Sequence, residues 1–412
     1  MKYNNMRLKL YLIILIYIAA HNFFNPLGTI PVAASKFIFY LLSLIGLRFA
    51  FISKNRVVNY PHTSYKMIMC GITISVFSVW LNYDQPLSVS IITTLPYIFG
   101  YSFLYVLLKY SPDIDFLFKF IKALVICSSL IYLANLLSFP NTVFGAGKEE
   151  FDMSRGFVRL GGPMLELVVF YMFYSISQYQ TSKNKKWIFW SILTGVLVIF
   201  SLTRQVILLG LAFSILMILQ KAKLWKKILV ICLLLGVYQF ILPQIPIYKA
   251  MTEISEMQAE KNRYEEEDIR ITAWRFYTVE YYKNEITRII GNGMPAIGNS
   301  KRGNQFEITV GAEYGGNSCN YVDVGWAGFY WLFGIFATIG LLVMLIKALI
   351  MSRRMKKDYY VYWILFIIIT SVTSAPILFY GQVVSLCIIL YMIFADNNKK
   401  YEINSINNTQ LQ

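Results

Sequence analysis

The chain has 412 residues, 57% of them hydrophobic and 15% charged, with a mean hydropathy of +0.53. A soluble chain of this length carries about a quarter charged residues, so a water-soluble globular enzyme is excluded; the apolar residues fall in blocks of roughly 17 to 22, the length of a bilayer-crossing helix. The net charge of +16 collects in short loops between those blocks, which points to membrane topology rather than to nucleic-acid binding.

The pattern predicts an all-α polytopic membrane protein with about twelve spans, near residues 10–24, 36–52, 67–82, 88–108, 117–138, 163–180, 187–203, 205–220, 228–243, 323–346, 360–375 and 377–395. The first block lacks a small-residue cleavage site before the next span begins, so it reads as a retained helix. Basic loops at 1–9, 53–66, 109–122, 183–186, 221–227, 347–357 and 399–400 alternate with loops poor in Lys and Arg, which puts both termini in the cytoplasm. The expected organisation is an N-terminal bundle (1–243) with an outer loop at 140–162, a large outer loop (244–322), C-terminal helices (323–400) and a cytoplasmic tail (401–412).

Cys70, Cys127, Cys232 and Cys387 fall inside spans, leaving Cys319 outside, and no spacing suggests a disulfide framework or zinc site. His21 and His62 are the only histidines, and His62 is expected on the cytoplasmic side. This excludes a Ser-His-Asp triad in the outer loop and a multi-histidine metal centre. No cofactor and no metal are expected.

Taken in order, the first polar motif is SRGFVRLGGPMLEL at 154–167. Arg155 and Arg159 are four apart and share a face if helical; Gly161 and Gly162 break the chain, and Pro163 suits a helix start. Glu166 then lies where the membrane begins, a costly place for an ionisable group and a functional candidate, against a helix-terminus or ion-pair role. In SLTRQVILLG (201–210), Arg204 stands in a turn of almost no length, either snorkelling to lipid phosphate or offering its planar fork to a diphosphate.

The large loop opens polar, and its acidic run Glu265–Asp268 reads as wet surface rather than a divalent-cation site. After it, Asp268 is placed to cap a helix carrying Arg270 and Arg275, with Ile271, Trp274, Thr278 and Tyr281 at helical spacing. Such a helix suits a membrane interface, and Gly291, Gly293 and Pro295 end it. Asp323 follows at the mouth of a span with Gly325 and Gly328, either as an acid with a chemical role or as a helix cap. Lys148, Arg155, Arg159, Arg204, Arg270 and Arg275 together make the outer side cationic, which suits an anionic ligand such as a lipid diphosphate or simply solvates long loops.

These segments resemble the bacterial O-antigen polymerase and ligase superfamily, the Wzy-type polysaccharide polymerases, whose members have many spans and one large late periplasmic loop. Arg159, Gly162 and Glu166 match an Arg-x-x-Gly-x-x-x-Glu pattern, and Arg204 the Thr-Arg turn between two helices. Arg270 with Trp274 and Gly291-Asn292-Gly293 resembles the loop signature, and Asn320 with Gly325 the span after it. Cys319–Asn320 replaces the His-Asn pair of many ligases, which favours polymerase over ligase.

The resemblance implies transfer of a glycan from undecaprenyl diphosphate onto another lipid-linked repeat unit, at the outer face of the bacterial cytoplasmic membrane. The product is an O-antigen of lipopolysaccharide, a capsule or an exopolysaccharide. It implies Arg159, Arg204 and Arg270 as the diphosphate cradle, supported by Arg155 and Arg275, with Trp274 and Asn320 as further substrate contacts. Glu166 is the first choice as base and Asp323 the second; a chain-length regulator is an expected partner. A lipid-linked oligosaccharide flippase is the rival class. A carrier would show related halves and mid-membrane charges, neither of which the sequence displays, and a flippase has no need of so long a loop.

Overall fold

The computed structural model describes residues 2–21, 29–53, 60–138, 143–144, 164–201, 203–220, 269–301, 303–306 and 320–410, with isolated positions between 223 and 249. The described residues are mainly helical, and no extended strand occurs among them. The helices are α1 (Lys2–His21), α2 (Val32–Ile52), α3 (His62–Tyr83), α4 (Leu87–Tyr110), α5 (Ile114–Leu137), α6 (Leu165–Ser182), α7 (Lys186–Phe200) and α8 (Arg204–Gln220). After them come the short α9 (Ile269–Arg275) and α10 (Glu285–Ile290), then α11 (Gly325–Met355), α12 (Asp358–Thr370) and α13 (Tyr380–Gln410).

Among the described residues six helices are long and apolar enough to cross a membrane: α2, α3, α4, α5, α11 and, over Tyr380–Asn398, α13. The chain is therefore an all-α membrane protein. Eleven of the twelve apolar blocks coincide with helices; the block at 228–243 lies outside the described residues. Pro31, Pro61 and Pro86 each stand immediately before a helix, where a fixed φ and a missing N–H cost nothing.

Two compact units emerge from the packing. One comprises residues 1–24, 30–123 and 269–412, the other 25–29 and 124–268. In the first, α3 lies against α11, and α4 packs on α2, α3 and α13. Hydroxyl donors lock these seams: Tyr101 to the Ile377 carbonyl at 2.8 Å, and Tyr391 to the Pro112 carbonyl at 2.7 Å. In the second unit, α6 packs against α7 and α8.

The α3–α11 seam is close because it is built on small residues, as in helix pairs that lack a hydrophobic drive to associate. Gly71 faces Ala337, and Gly340 faces Ser64 and Ile68; a Cβ on Gly71 would lie 2.7 Å from that of Ala337. Overpacking such a contact costs about 1–3 kcal/mol. Gly71→Val is expected to lower the thermal midpoint of the detergent-solubilised protein, whereas Thr73→Val, on the exposed side of α3, leaves it unchanged; size-exclusion recovery after heating reads the difference.

Candidate functional site

The first unit gathers its chemistry at the mouth of α11. The amides that a helix start leaves without partners are taken here by backbone: Gly325 N–H donates to the Ser374 carbonyl (3.1 Å) and Trp326 N–H to the Ser371 carbonyl (2.9 Å). Both carbonyls belong to the turn between α12 and α13. Asp323 consequently does not cap α11. It closes a 3-10 turn, Tyr321–Asp323, whose own cap is Asn320, accepting from Val322 N–H at 3.2 Å.

The Asp323 side chain is exposed on one side. Partial burial raises its carboxyl above the ordinary carboxylate range, while the positive charge of Arg270 and an Asn320 backbone N–H oppose that rise. Arg270 and Asp323, far apart in sequence, are thus electrostatic neighbours. Arg270 comes from α9, which is pinned to the same turn by Trp274, whose indole N–H donates to the Val372 carbonyl at 2.9 Å. Arg275 on the same helix pairs with Glu280 at 2.6 Å, so part of its fork is occupied.

The expected stripe of Ile271, Trp274, Thr278 and Tyr281 is corrected by the structure. The buried positions are Ala273, Phe276 and Tyr277, and Ile271 is exposed. Apolar and aromatic residues stand all round this segment, so its packing partner chooses the face; the buried set Ala273, Phe276 and Tyr277 keeps helical spacing into a π-helical turn at Phe276–Glu280. Behind this turn Trp331 of α11, fully buried, is ringed by Tyr277, Tyr281, Phe306 and Tyr321, the Phe306 ring stacking at 5.0 Å. Its indole N–H donates to the Tyr281 carbonyl at 3.1 Å. Sequence reasoning missed this cluster, although the aromatic run Phe329-Tyr330-Trp331 was there to read.

The single helix expected to run from Asp268 to Gly291 is instead interrupted after Glu280, and Gly291 and Gly293, with φ of +87° and +66°, follow the separate α10. They also do something further. α11 is broken at Gly334 (φ +77°), and the carbonyls freed one turn earlier, Trp331 and Leu332, accept from the N–H groups of Asn292 (2.7 Å) and Gly293 (2.8 Å). Buried Gln85 holds the far side of this loop, donating to Met294 O and accepting from Ala296 N–H, both at 3.1 Å.

In the second unit, Glu166 lies in the first turn of α6 and is 8% exposed, while Arg204 is the first residue of α8. Gln180 Nε2 donates to the Met217 carbonyl at 2.7 Å. Stepping back about four turns from each of these two residues reaches Glu166 on α6 and Arg204 on α8. The helices run parallel in this register, so Glu166 and Arg204 share one end of the α6–α7–α8 group. Arg155, Arg159 and Gly162 lie outside the described residues, as do Lys148, Cys319 and the Glu265–Asp268 run. Among the described residues no three His, Cys, Asp or Glu side chains converge as a metal ion would require. No protein-family model matches the sequence, and no curated protein matches it significantly.

Trp274→Phe keeps the ring and deletes the bond to Val372, which is expected to cost about 1 kcal/mol of stability; the thermal midpoint measures it. A carboxyl whose folded pKa is raised contributes stability that is present at low pH and lost as pH rises through that pKa. Arg270 limits this loss at Asp323. Arg270→Ala should therefore lose more thermal stability than wild type as pH rises above the ordinary carboxylate range, and equal slopes for the two proteins would remove the Arg270–Asp323 interaction.

Proposed function

We propose that the protein is a membrane glycosyltransferase that polymerises lipid-diphosphate-linked oligosaccharide repeat units at the outer face of the cytoplasmic membrane. The observation that carries this reading is the Arg270–Asp323 pair. At the mouth of a long apolar helix an acid lies within the electrostatic influence of an arginine, and the acid is released from capping because Ser371 and Ser374 carbonyls receive the helix amides. That position suits a lipid-borne head group, and the sequence motifs around these residues are those that resemble the Wzy-type polymerases.

In the proposed reaction the acceptor sugar hydroxyl attacks the anomeric carbon of the growing glycan. The bond from that carbon to the diphosphate oxygen breaks, and undecaprenyl diphosphate departs with the electron pair. The leaving group is already good, so the main demand is to neutralise the charge that develops on it, which preorganised guanidinium groups do in a water-poor site. The resemblance assigns that role to Arg270, Arg204 and Arg159, and the charge of Arg270 acts on Asp323. Glu166 is the base that accepts the hydroxyl proton, with Asp323 as its alternate. The intramembrane edge is an expensive location for a carboxyl and marks Glu166 for such a use.

The test is deletion of the gene in its host, complemented with wild type, Arg204→Ala, Arg270→Ala or Glu166→Gln, with surface glycan resolved on a gel. Deletion is expected to collapse long chains to single repeat units. Both arginine variants should fail to restore length despite normal membrane abundance, each with a loss of at least tenfold in polymer. Full restoration by Glu166→Gln would take the base role from Glu166. Chains of normal length, with single units failing to reach the surface, would favour a flippase.

A further inference from the structure

We propose that residues 284–297 form a shallow re-entrant hairpin immersed in the bilayer, with the acyl chains of membrane lipid as the partner of its outward face. The depth follows from two helices independently. Gly291 and Gly293 sit against Trp331–Gly334 of α11. Since α11 starts at Gly325, Gly334 lies about 13 Å below the helix mouth at ~1.5 Å per residue. On α3, Gly293 abuts Ser75 and Val79, and Ser78 Oγ donates to the Gly291 carbonyl at 2.6 Å. The segment begins, however, at the end of that same helix, where Asn284 Nδ2 donates to Asn82 Oδ1 at 3.1 Å and Lys283 Nζ to the Asn82 carbonyl. From Asn82 down to Ser75 is about 10 Å. The chain then climbs back to Gln85, which receives Ala296 N–H.

The segment meets the condition that non-helical backbone must satisfy at membrane depth, namely protein partners for its polar groups. Asn292 N–H and Gly293 N–H reach α11 carbonyls, Gly291 O is taken by Ser78 and Met294 O by Gln85. Asn284 and Thr287 close a reciprocal capping box at the start of α10. With the backbone so satisfied, Glu285 is 82% exposed at the start of α10 and below it the outward side chains are apolar: Ile286 is 60% exposed and Ile289 49% exposed, close to the exposed fractions of Phe77 on α3 and Phe336 on α11, the two helices on which α10 packs. The apolar band of the spanning helices thus continues over the hairpin. The charges are drawn upward. Arg288 reaches back to Glu285 and to the Val279 carbonyl, a snorkelling arrangement that keeps its head away from the hydrocarbon. This surface does not depend on which reaction the protein performs.

Single cysteines at Ile286→Cys and Ile289→Cys, in a background with the native cysteines exchanged for serine, carry a nitroxide in lipid vesicles. Lys283→Cys and Ile339→Cys serve as the shallow and deep comparators. Both hairpin positions are expected to be several-fold more accessible to oxygen than to a water-soluble nickel chelate, as at Ile339→Cys, with the opposite order at Lys283→Cys. In parallel, the unmodified protein is irradiated with a phospholipid bearing a diazirine on its acyl chain, and the labelled peptides are identified by mass spectrometry; the peptide spanning 284–297 is expected among them. Nickel accessibility matching Lys283→Cys overturns the proposal in favour of a water-facing loop. Protection from both probes, with lipid label on α11 but none on 284–297, also overturns it and assigns the face to a protein partner or a second copy. If the cysteine variants do not assemble, the cross-linking result decides alone.

Discussion

A helix that breaks within an apolar bundle frees carbonyls that nothing in hydrocarbon can satisfy, and the break of α11 at Gly334 imposes that constraint on this protein. The N–H groups of Asn292 and Gly293 meet it. Because those donors come from a distant loop, the break and the loop require each other, and this end of the first unit is positioned from the junction. The Trp331 cluster seals one side of it and Gln85 the other. From there the chain leads back through the π-helical turn to α9, whose Trp274 and Arg270 come to the turn after α12 and to Asp323.

The mouth of α11 follows the same logic on a smaller scale. A helix start needs acceptors, and an aspartate there is ordinarily one of them. Here Ser371 and Ser374 carbonyls, left open where α12 ends, supply the need. Two incomplete backbones complete each other, and Asp323 is left outside the cap, its proton affinity raised by enclosure and lowered again by the charge of Arg270. An arginine whose neighbour sets its orientation is better suited to holding an anion than one on a free stem, since less rotamer freedom is lost when the anion binds.

Much of the architecture was legible in sequence because it rests on local composition. Apolar blocks the length of a bilayer predicted helices that are there, and Gly291 and Gly293 announced the end of a helix through a property of glycine alone. Pairings between segments were not legible. The face of α9 was misjudged because Ile271, Ala273, Trp274, Phe276 and Tyr277 offer apolar surface all round, and only packing chose Ala273, Phe276 and Tyr277. Asp323 could be read equally as cap or as functional acid, since the carbonyls that compete for the cap lie about fifty residues further along the chain. Glu166 and Arg204 were each singled out by the cost of a charge beside apolar helices, but their common level rests on the Gln180–Met217 register.

The sequence by itself determined an all-helical membrane chain, its helix-forming blocks and the few charges worth examining, because hydrophobic length and the cost of burying charge are properties of residues taken one at a time. Only the tertiary structure decided which backbone groups remained to be satisfied and by whom. It placed Gly291–Gly293 against the broken helix and exempted Asp323 from capping, because hydrogen-bond satisfaction is a property of pairs brought together from separate segments of the chain.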